Sequence, residues 1–295
     1  MDIVVVGAGS LGSLLGGLLA REHDVTLVGR EPHVGTVTRE GLAVRGVEQF
    51  QAHPAARTDL PSGGDLALVA VKAYDTADVA ADLADCAFEA CLSVQNGLGN
   101  ETTLAEAVDY PVLAGTCTYG ARLLDPGVVE FTGRGAVALG DPAGGRSAVA
   151  DDVAEAFRAA GVESVAAADM PTRRWEKLAV NAAVNATTAL ARVENGALAA
   201  TPGDGLAAGA ARETARVARE AGVDLPTDRA LSLTEQVVRE TAANRSSMLQ
   251  DVEAGRQTEI DAINGAVVDR ATEPVPVNET LARLLRTWER GRDRR

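Results

Sequence analysis

The chain has 295 residues, a formal net charge of −14, 46% hydrophobic residues and only 3% aromatic ones. That length holds one large domain or two ordinary ones, and the apolar fraction suffices for a core that must be aliphatic and alanine-rich. The negative charge argues against nucleic acid as a partner, since a phosphate backbone would be repelled.

In chain order, residues 3–6 form a continuous apolar run, as a central parallel strand should. The nearly apolar segment 3–20 is not read as a signal peptide. Asp2 makes its start acidic, and its glycines fall at loop spacing between a strand and a helix over 10–21. Strands are expected at 25–28, 66–71 and 91–94, with helices near 76–84 and 101–107 between them. This alternation implies a doubly wound parallel sheet. From 112 to 139 the pattern turns to strands and turns, with Asp125-Pro126-Gly127 a strong turn signal, and these strands should extend one edge of the sheet. A helix at 148–160 and a strand at 162–165 close this half. After Asp169 only helices are expected: 172–191, 205–221, 227–243, 246–254, 258–271 and 278–290. Thr201-Pro202-Gly203-Asp204-Gly205 and Gly222 mark turns, and the basic tail 290–295 should fray. The expected architecture is therefore α/β: a Rossmann-type, doubly wound nucleotide-binding domain over 1–168, followed by an all-helical domain over 169–295. No stretch is long enough to span a bilayer.

The three cysteines, Cys86, Cys91 and Cys117, are odd in number and lack metal-type spacing, so they read as reduced thiols of a cytoplasmic protein. His23, His33 and His53 likewise lack ligand spacing. No metal is expected, and any proton donor must be another residue type.

Gly7-Ala8-Gly9-Ser10-Leu11-Gly12 is a GxGxxG string between a strand and a helix, the context that a dinucleotide requires. Gly7 permits the turn, Gly9 lets a pyrophosphate approach the backbone, and Gly12 allows close helix–strand packing. The diphosphate then meets amides at the positive end of the helix. At the end of the second strand, an acid would bind the ribose 2′-hydroxyl of NAD. The chain reads Val28-Gly29-Arg30-Glu31 there. The acid's place is held by Gly29, and Arg30 suits a 2′-phosphate, so NADPH is favoured over NADH. A shift of one residue would bring Glu31 to the ribose instead.

Of 28 basic residues only Lys72 and Lys177 are lysine. Codon bias toward arginine, or a salt-rich habitat, would also produce this scarcity. A lysine differs from arginine in one respect that matters to catalysis: it can give up its proton. Lys177 lies four residues before Asn181, which lies four before Asn185. Such spacing puts all three on one helical stripe. The residues between are apolar, so the stripe is expected to be largely buried and to need partners. A helix–helix hydrogen-bond network or a ligand rich in oxygen would supply them. A second polar cluster is Ser246-Ser247-Met248-Leu249-Gln250-Asp251 with Thr258-Glu259-Ile260-Asp261. Thr258 and Asp261 have capping-box spacing, which leaves Glu259 for another task.

These motifs, with Val71-Lys72-Ala73, Gln95-Asn96-Gly97-Leu98-Gly99, Trp175-Glu176-Lys177-Leu178 and Asn195-Gly196, resemble the ketopantoate reductases (2-dehydropantoate 2-reductases) over most of the chain. Asn185-Ala186 departs from the Asn-Pro of many members, and Tyr119-Gly120-Ala121-Arg122 matches only approximately. The resemblance implies NADPH-dependent reduction of 2-dehydropantoate to (R)-pantoate for pantothenate and coenzyme A synthesis. It makes Lys177 the general acid. It assigns Asn181, Asn185, Asn195, Ser247, Glu259 and Asn96 to the substrate, and Gly7 to Gly12, Arg30, Lys72, Asn96, Ala121 and Glu259 to the cofactor. The alternatives are a reductase of another small 2-oxo acid and a regulatory protein that senses NADPH without turnover. The sequence leaves a homodimer open.

Overall fold

The computed structural model describes residues 1–199 and 203–292, the side chains of 203 and 204 excepted. The chain divides into two compact units. The first comprises Met1–Gln95 and Gly99–Met170; the second comprises Asn96–Leu98 and the chain from Pro171 onward.

The first unit runs β1 (Asp2–Val6), α1 (Ser10–Leu19), β2 (Asp24–Val28), α2 (His33–Glu40), β3 (Leu42–Gly46), β4 (Phe50–Ala52), β5 (Ala55–Arg57) and β6 (Gly63–Val69). It continues with a 3₁₀ turn (Ala73–Asp75), α3 (Thr76–Leu83), β7 (Ala87–Ser93), α4 (Asn100–Ala105), β8 (Val112–Cys117), β9 (Gly120–Asp125), β10 (Val128–Gly133), β11 (Val137–Gly140), α5 (Ala148–Ala159) and β12 (Ser164–Ala166). The main sheet has the order β12-β11-β8-β7-β6-β1-β2-β5. It is parallel except where β11 meets β8. Because side chains alternate across a strand, β1 feeds two cores. Ile3 and Val5 face the α1 side with Leu66 and Leu68, while Val4 and Val6 face the α3 side with Ala67 and Val69. A continuous apolar run follows from being covered on both faces, and each such side chain contributes roughly 1.5–3 kcal/mol.

The segment 112–139 does not simply extend the sheet edge as the sequence suggested. β8 and β11 do join the main sheet, but the β9–β10 hairpin leaves it and builds a second sheet of order β4-β3-β10-β9. The reason lies in α1, whose sequence has no charged residue and whose residues Gly12 to Leu19 are all buried. A helix apolar all round needs cover all round. Its adjacent glycines show the two covers: a Cβ on Gly16 would strike Leu27 of the main sheet, and one on Gly17 would lie 3.0 Å from Leu42 of the second.

The second unit carries α6 (Met170–Ala191), a 3₁₀ turn (Asn195–Ala199), α7 (Gly203–Glu220), α8 (Thr227–Glu240), α9 (Ser247–Glu253), a π-helical turn (Asp261–Gly265), α10 (Ala266–Arg270) and α11 (Pro276–Arg292). Each helix expected in this half has a counterpart, but the one expected at 258–271 begins only at Asp261, as the π-helical turn that runs into α10. The turn expected at 201–205 lies outside the described residues at its first two positions, as do the last three residues of the expected frayed tail; Arg290 and Arg292 belong to α11. The core is aliphatic and alanine-rich: Ala182 and Ala186 of α6 and Ala211 and Ala215 of α7 are fully buried. Among the described residues no helix is long and apolar enough to cross a membrane.

His33 links three elements of the first unit. Its Nδ1 accepts from the Gly127 amide at 3.0 Å, so its Nε2 carries the proton and donates to Ser13 Oγ at 3.0 Å. Burial lowers its pKa from the ordinary 6.5. The unfolded chain therefore binds a proton, between 6.5 and the lowered value, that the folded chain does not. The neutral ring's contribution is complete above 6.5 and is lost as pH falls through the folded value. Denaturant unfolding of His33→Gln should lose this part of the acid-side slope. An unchanged difference between about pH 8 and about pH 5, each roughly one and a half units from that reference value of 6.5, would contradict it.

Candidate active site

The phosphate loop sits at the C-terminal end of β1, next to the place where the strand order reverses toward β6 on one side and β2 on the other. Such a switch point is where open α/β sheets bind ligands. Gly7 has φ +110°, and a Cβ there would lie 2.6 Å from the Val71 amide nitrogen. Glycine thus allows the loop after β6, with Lys72, to close on the loop after β1. Gly12 is demanded by the Gly7 carbonyl, into which its Cβ would run. Gly9 differs from both, since a Cβ there would meet nothing within 4 Å. Packing within the chain does not require glycine at that position; its bareness leaves the start of α1 open to approach. The amides of Ser10, Leu11 and Gly12 open the helix and have no carbonyl one turn back within it. This cradle fits a diphosphate.

Of the other residues expected at the cofactor, Arg30, Lys72 and Ala121 belong to the same unit as this loop. Ser10 Oγ accepts from the Leu123 amide at 3.0 Å, which brings β9, and Ala121 with it, to the start of α1. Lys72 is half-buried and precedes the 3₁₀ turn. Arg30 follows β2, and its guanidinium pairs with Asp75 at 3.3 Å. Glu31 is occupied elsewhere: its carboxylate accepts from the Gly35 amide at 3.2 Å in the first turn of α2. Asp75 was not anticipated from sequence.

In the second unit, Lys177, Asn181 and Asn185 follow one another at successive turns of α6. Lys177 and Asn181 are half-buried, and Asn185 is buried. The Asn96 amide connects this stripe to the far end of the sequence. Its Nδ2 donates to Glu259 Oε2 at 3.1 Å, and its Oδ1 accepts from Asn181 Nδ2 at 3.4 Å. Glu259 is only 5% exposed. The loop reaches this place because Gly97, at φ +88°, lies against Ala262, whose Cβ would be 2.7 Å from a Cβ on Gly97. The Leu98 amide donates to the Ala262 carbonyl at 3.3 Å. Ala262 belongs to the π-helical turn, a feature frequent at functional sites.

Ser247 is exposed at the first position of α9. Ser246 does the structural work beside it: its Oγ accepts from the Leu249 amide at 3.1 Å and lies 2.7 Å from Thr188 Oγ1, tying α9 to α6 one turn beyond Asn185. Asn195 is buried, and its Nδ2 donates to Thr241 Oγ1 at 2.9 Å. Its Oδ1 is buried with no hydrogen-bond partner among the described residues. The capping box expected at Thr258 and Asp261 does not form. Thr258 donates through both its amide and its hydroxyl to Glu289, at 2.8 and 2.7 Å, and Asp261 pairs with Arg286 at 2.6 Å.

A parallel sheet with a glycine-rich loop at its switch point, and a helical unit with a lysine–asparagine stripe, define a two-unit reductase of the dinucleotide-binding class. The family model "Ketopantoate reductase PanE/ApbA" matches residues 3–144, and "Ketopantoate reductase PanE/ApbA C terminal" matches residues 169–289. A protein of Halobacterium salinarum named 2-dehydropantoate 2-reductase is 42% identical, with 98% of this chain and 99% of that one aligned. The crystal structure of a PanE/ApbA family ketopantoate reductase from Ralstonia eutropha aligns at TM-score 0.91 and 31% identity, over 99% of this chain and 100% of that one. A complex of D-mandelate dehydrogenase with NADH aligns at TM-score 0.90 and 25% identity, over 99% of each chain. The chain belongs to the ketopantoate reductase family.

Gly97→Ala tests the loop. A methyl group at a left-handed φ, driven against Ala262, should cost about 1–3 kcal/mol in denaturant unfolding. A variant as stable as the parent would show that Asn96 is not held by this contact.

Proposed function

We propose that the protein reduces 2-dehydropantoate to (R)-pantoate with NADPH, as a step toward pantothenate and coenzyme A in the cytoplasm. The observation that carries this reading is the stripe Lys177, Asn181 and Asn185 on a half-buried helix face, tied through Asn96 to Glu259. An ammonium and three amides grouped on a partly buried face can pair with a small ligand rich in oxygen. A 2-oxo acid with a hydroxyl offers the carbonyl, carboxylate and hydroxyl that would do so. A bound reduced nicotinamide supplies the hydride. Lys177 gives the proton to the 2-oxo oxygen and stabilises the charge that develops there. Asn181, Asn185, Asn195 and Ser247 hold the carboxylate and hydroxyl groups. Asn96 and Glu259 fix the position of the substrate and contact the cofactor. Gly7 to Gly12 take the diphosphate, Lys72 and Ala121 lie against the cofactor, and Arg30 takes the 2′-phosphate. The names of the relatives support this reading.

A second reading keeps the chemistry and moves the substrate to another 2-oxo acid. The likeness to D-mandelate dehydrogenase in complex with NADH favours it, since mandelate is also a 2-hydroxy acid. The test compares kcat/KM for ketopantoate, 2-oxoisovalerate, pyruvate and oxaloacetate, with NADPH and then with NADH. Turnover concentrated on ketopantoate with NADPH is expected, because 2-oxoisovalerate lacks the hydroxymethyl group. Faster turnover of another acid would establish the second reading. NADPH binding without turnover of any of them would make the protein a sensor.

Lys177→Arg isolates the proton. Guanidinium keeps the charge but cannot act as an acid. The variant should bind NADPH as the parent does and lose about 10²–10⁴-fold in kcat. Near-normal kcat would remove Lys177 from the role of acid.

A further inference from the structure

Arg30 stands at the end of β2 with its side chain 88% exposed, yet its guanidinium is not alone. Asp75, with a side chain 28% exposed, lies 3.3 Å away on the other side of the phosphate loop. Asp75 is held by its surroundings. Its amide donates to the Lys72 carbonyl at 2.9 Å, closing the 3₁₀ turn. The next residue, Thr76, is buried, and its one hydroxyl proton is shared between the Ala73 carbonyl at 2.8 Å and Asn100 Oδ1 at 2.9 Å. Gln95 Nε2 in turn donates to Thr76 Oγ1 at 2.8 Å. This buried network fixes the turn, and so fixes where the carboxylate can stand. Glu31, the acid next to Arg30 in sequence, is engaged at the start of α2. Asp75 is therefore the acid that faces the guanidinium.

We infer that Asp75 is a specificity residue for the 2′-substituent of the cofactor: its carboxylate holds Arg30 and opposes a 2′-phosphate. The inference rests on the proposed role of Arg30 as the 2′-phosphate ligand. A phosphate that reaches Arg30 must share it with an anion already there, and like charges at one cation disfavour each other. A 2′-hydroxyl carries no charge and can donate to a carboxylate, as it does where an acid ends the second strand. The pair thus narrows the preference for NADPH that Arg30 alone would give, and leaves NADH usable.

The experiment measures Kd for adenosine 2′,5′-bisphosphate and for 5′-AMP by calorimetry, on the full chain without substrate. Asp75→Asn should bind the bisphosphate roughly fivefold more tightly and 5′-AMP no more tightly, the size of a partly exposed charge effect. Asp75→Ser, which removes the charge with a different shape, should move in the same direction. The same variants should raise the NADPH-to-NADH ratio of kcat/KM. Bisphosphate affinity that is unchanged or weaker in both variants would overturn the inference and make Asp75 a support for Arg30 instead. Arg30→Gln separates the two levels. It should weaken the bisphosphate and spare 5′-AMP. If it spares both, Arg30 is not the phosphate ligand, and the inference falls with that reading.

Discussion

A carboxylate that is almost wholly buried must have a hydrogen-bonding partner, and the arrangement of the helical unit follows from how Glu259 is satisfied. Asn96 donates to it and accepts from Asn181, so one amide joins a loop of three residues, the middle of α6 and the approach to the π-helical turn. Each of these needs its own support. Gly97 lets the loop come close to Ala262. Asn264, within the π-helical turn, donates to the Ala182 carbonyl of α6 at 3.0 Å and to Asn278 Oδ1 at 2.9 Å. Asn278 donates to Glu213, whose carboxylate also accepts the Val277 and Asn278 amides at the start of α11. A buried polar network thus pins α6, α7, α11 and the π-helical turn to one another. Side chains held in this way have little freedom, which is what a site that must orient a small acid requires.

Parts of this were legible because the chemistry tolerates few residues. A buried parallel strand must be an apolar run, a diphosphate loop must have its glycines, and a polar stripe on a buried helix must recur every fourth residue. The helices after Pro171 were legible from the same periodicity. The second sheet was not. It joins β3 and β4 to β9 and β10, segments some eighty residues apart, and pairing over such distance leaves no local mark. The one hint was the all-round apolarity of α1, which a single sheet could not cover. Thr258 and Asp261 misled for a related reason: local spacing fitted a capping box, but Glu289 and Arg286, distant in sequence, offered stronger partners. The assignment of Asn96–Leu98 to the helical unit was equally invisible, since the loop follows a strand of the sheet.

The basic residues divide by task. Arginines serve in surface pairs such as Arg21–Glu48, Arg122–Glu130, Arg229–Glu176 and Arg286–Asp261. Exposed pairs of this kind are worth about 0–1 kcal/mol each and mainly organise the surface. The two lysines are half-buried, one beside the phosphate loop and one on the α6 stripe. That distribution supports a role in which a compact, deprotonatable ammonium is needed. Local positive charge on a chain of net charge −14 also favours anionic ligands at these places over the rest of the surface.

The central claim is that this chain delivers hydride to the 2-oxo carbon of ketopantoate. NADPH deuterated at the transferring position of its nicotinamide, incubated with the protein and ketopantoate, tests it most directly by mass spectrometry and proton NMR of the product. The expected product is pantoate carrying a single deuterium on C2. Unlabelled ketopantoate recovered unchanged, or pantoate without deuterium on C2, would contradict the account.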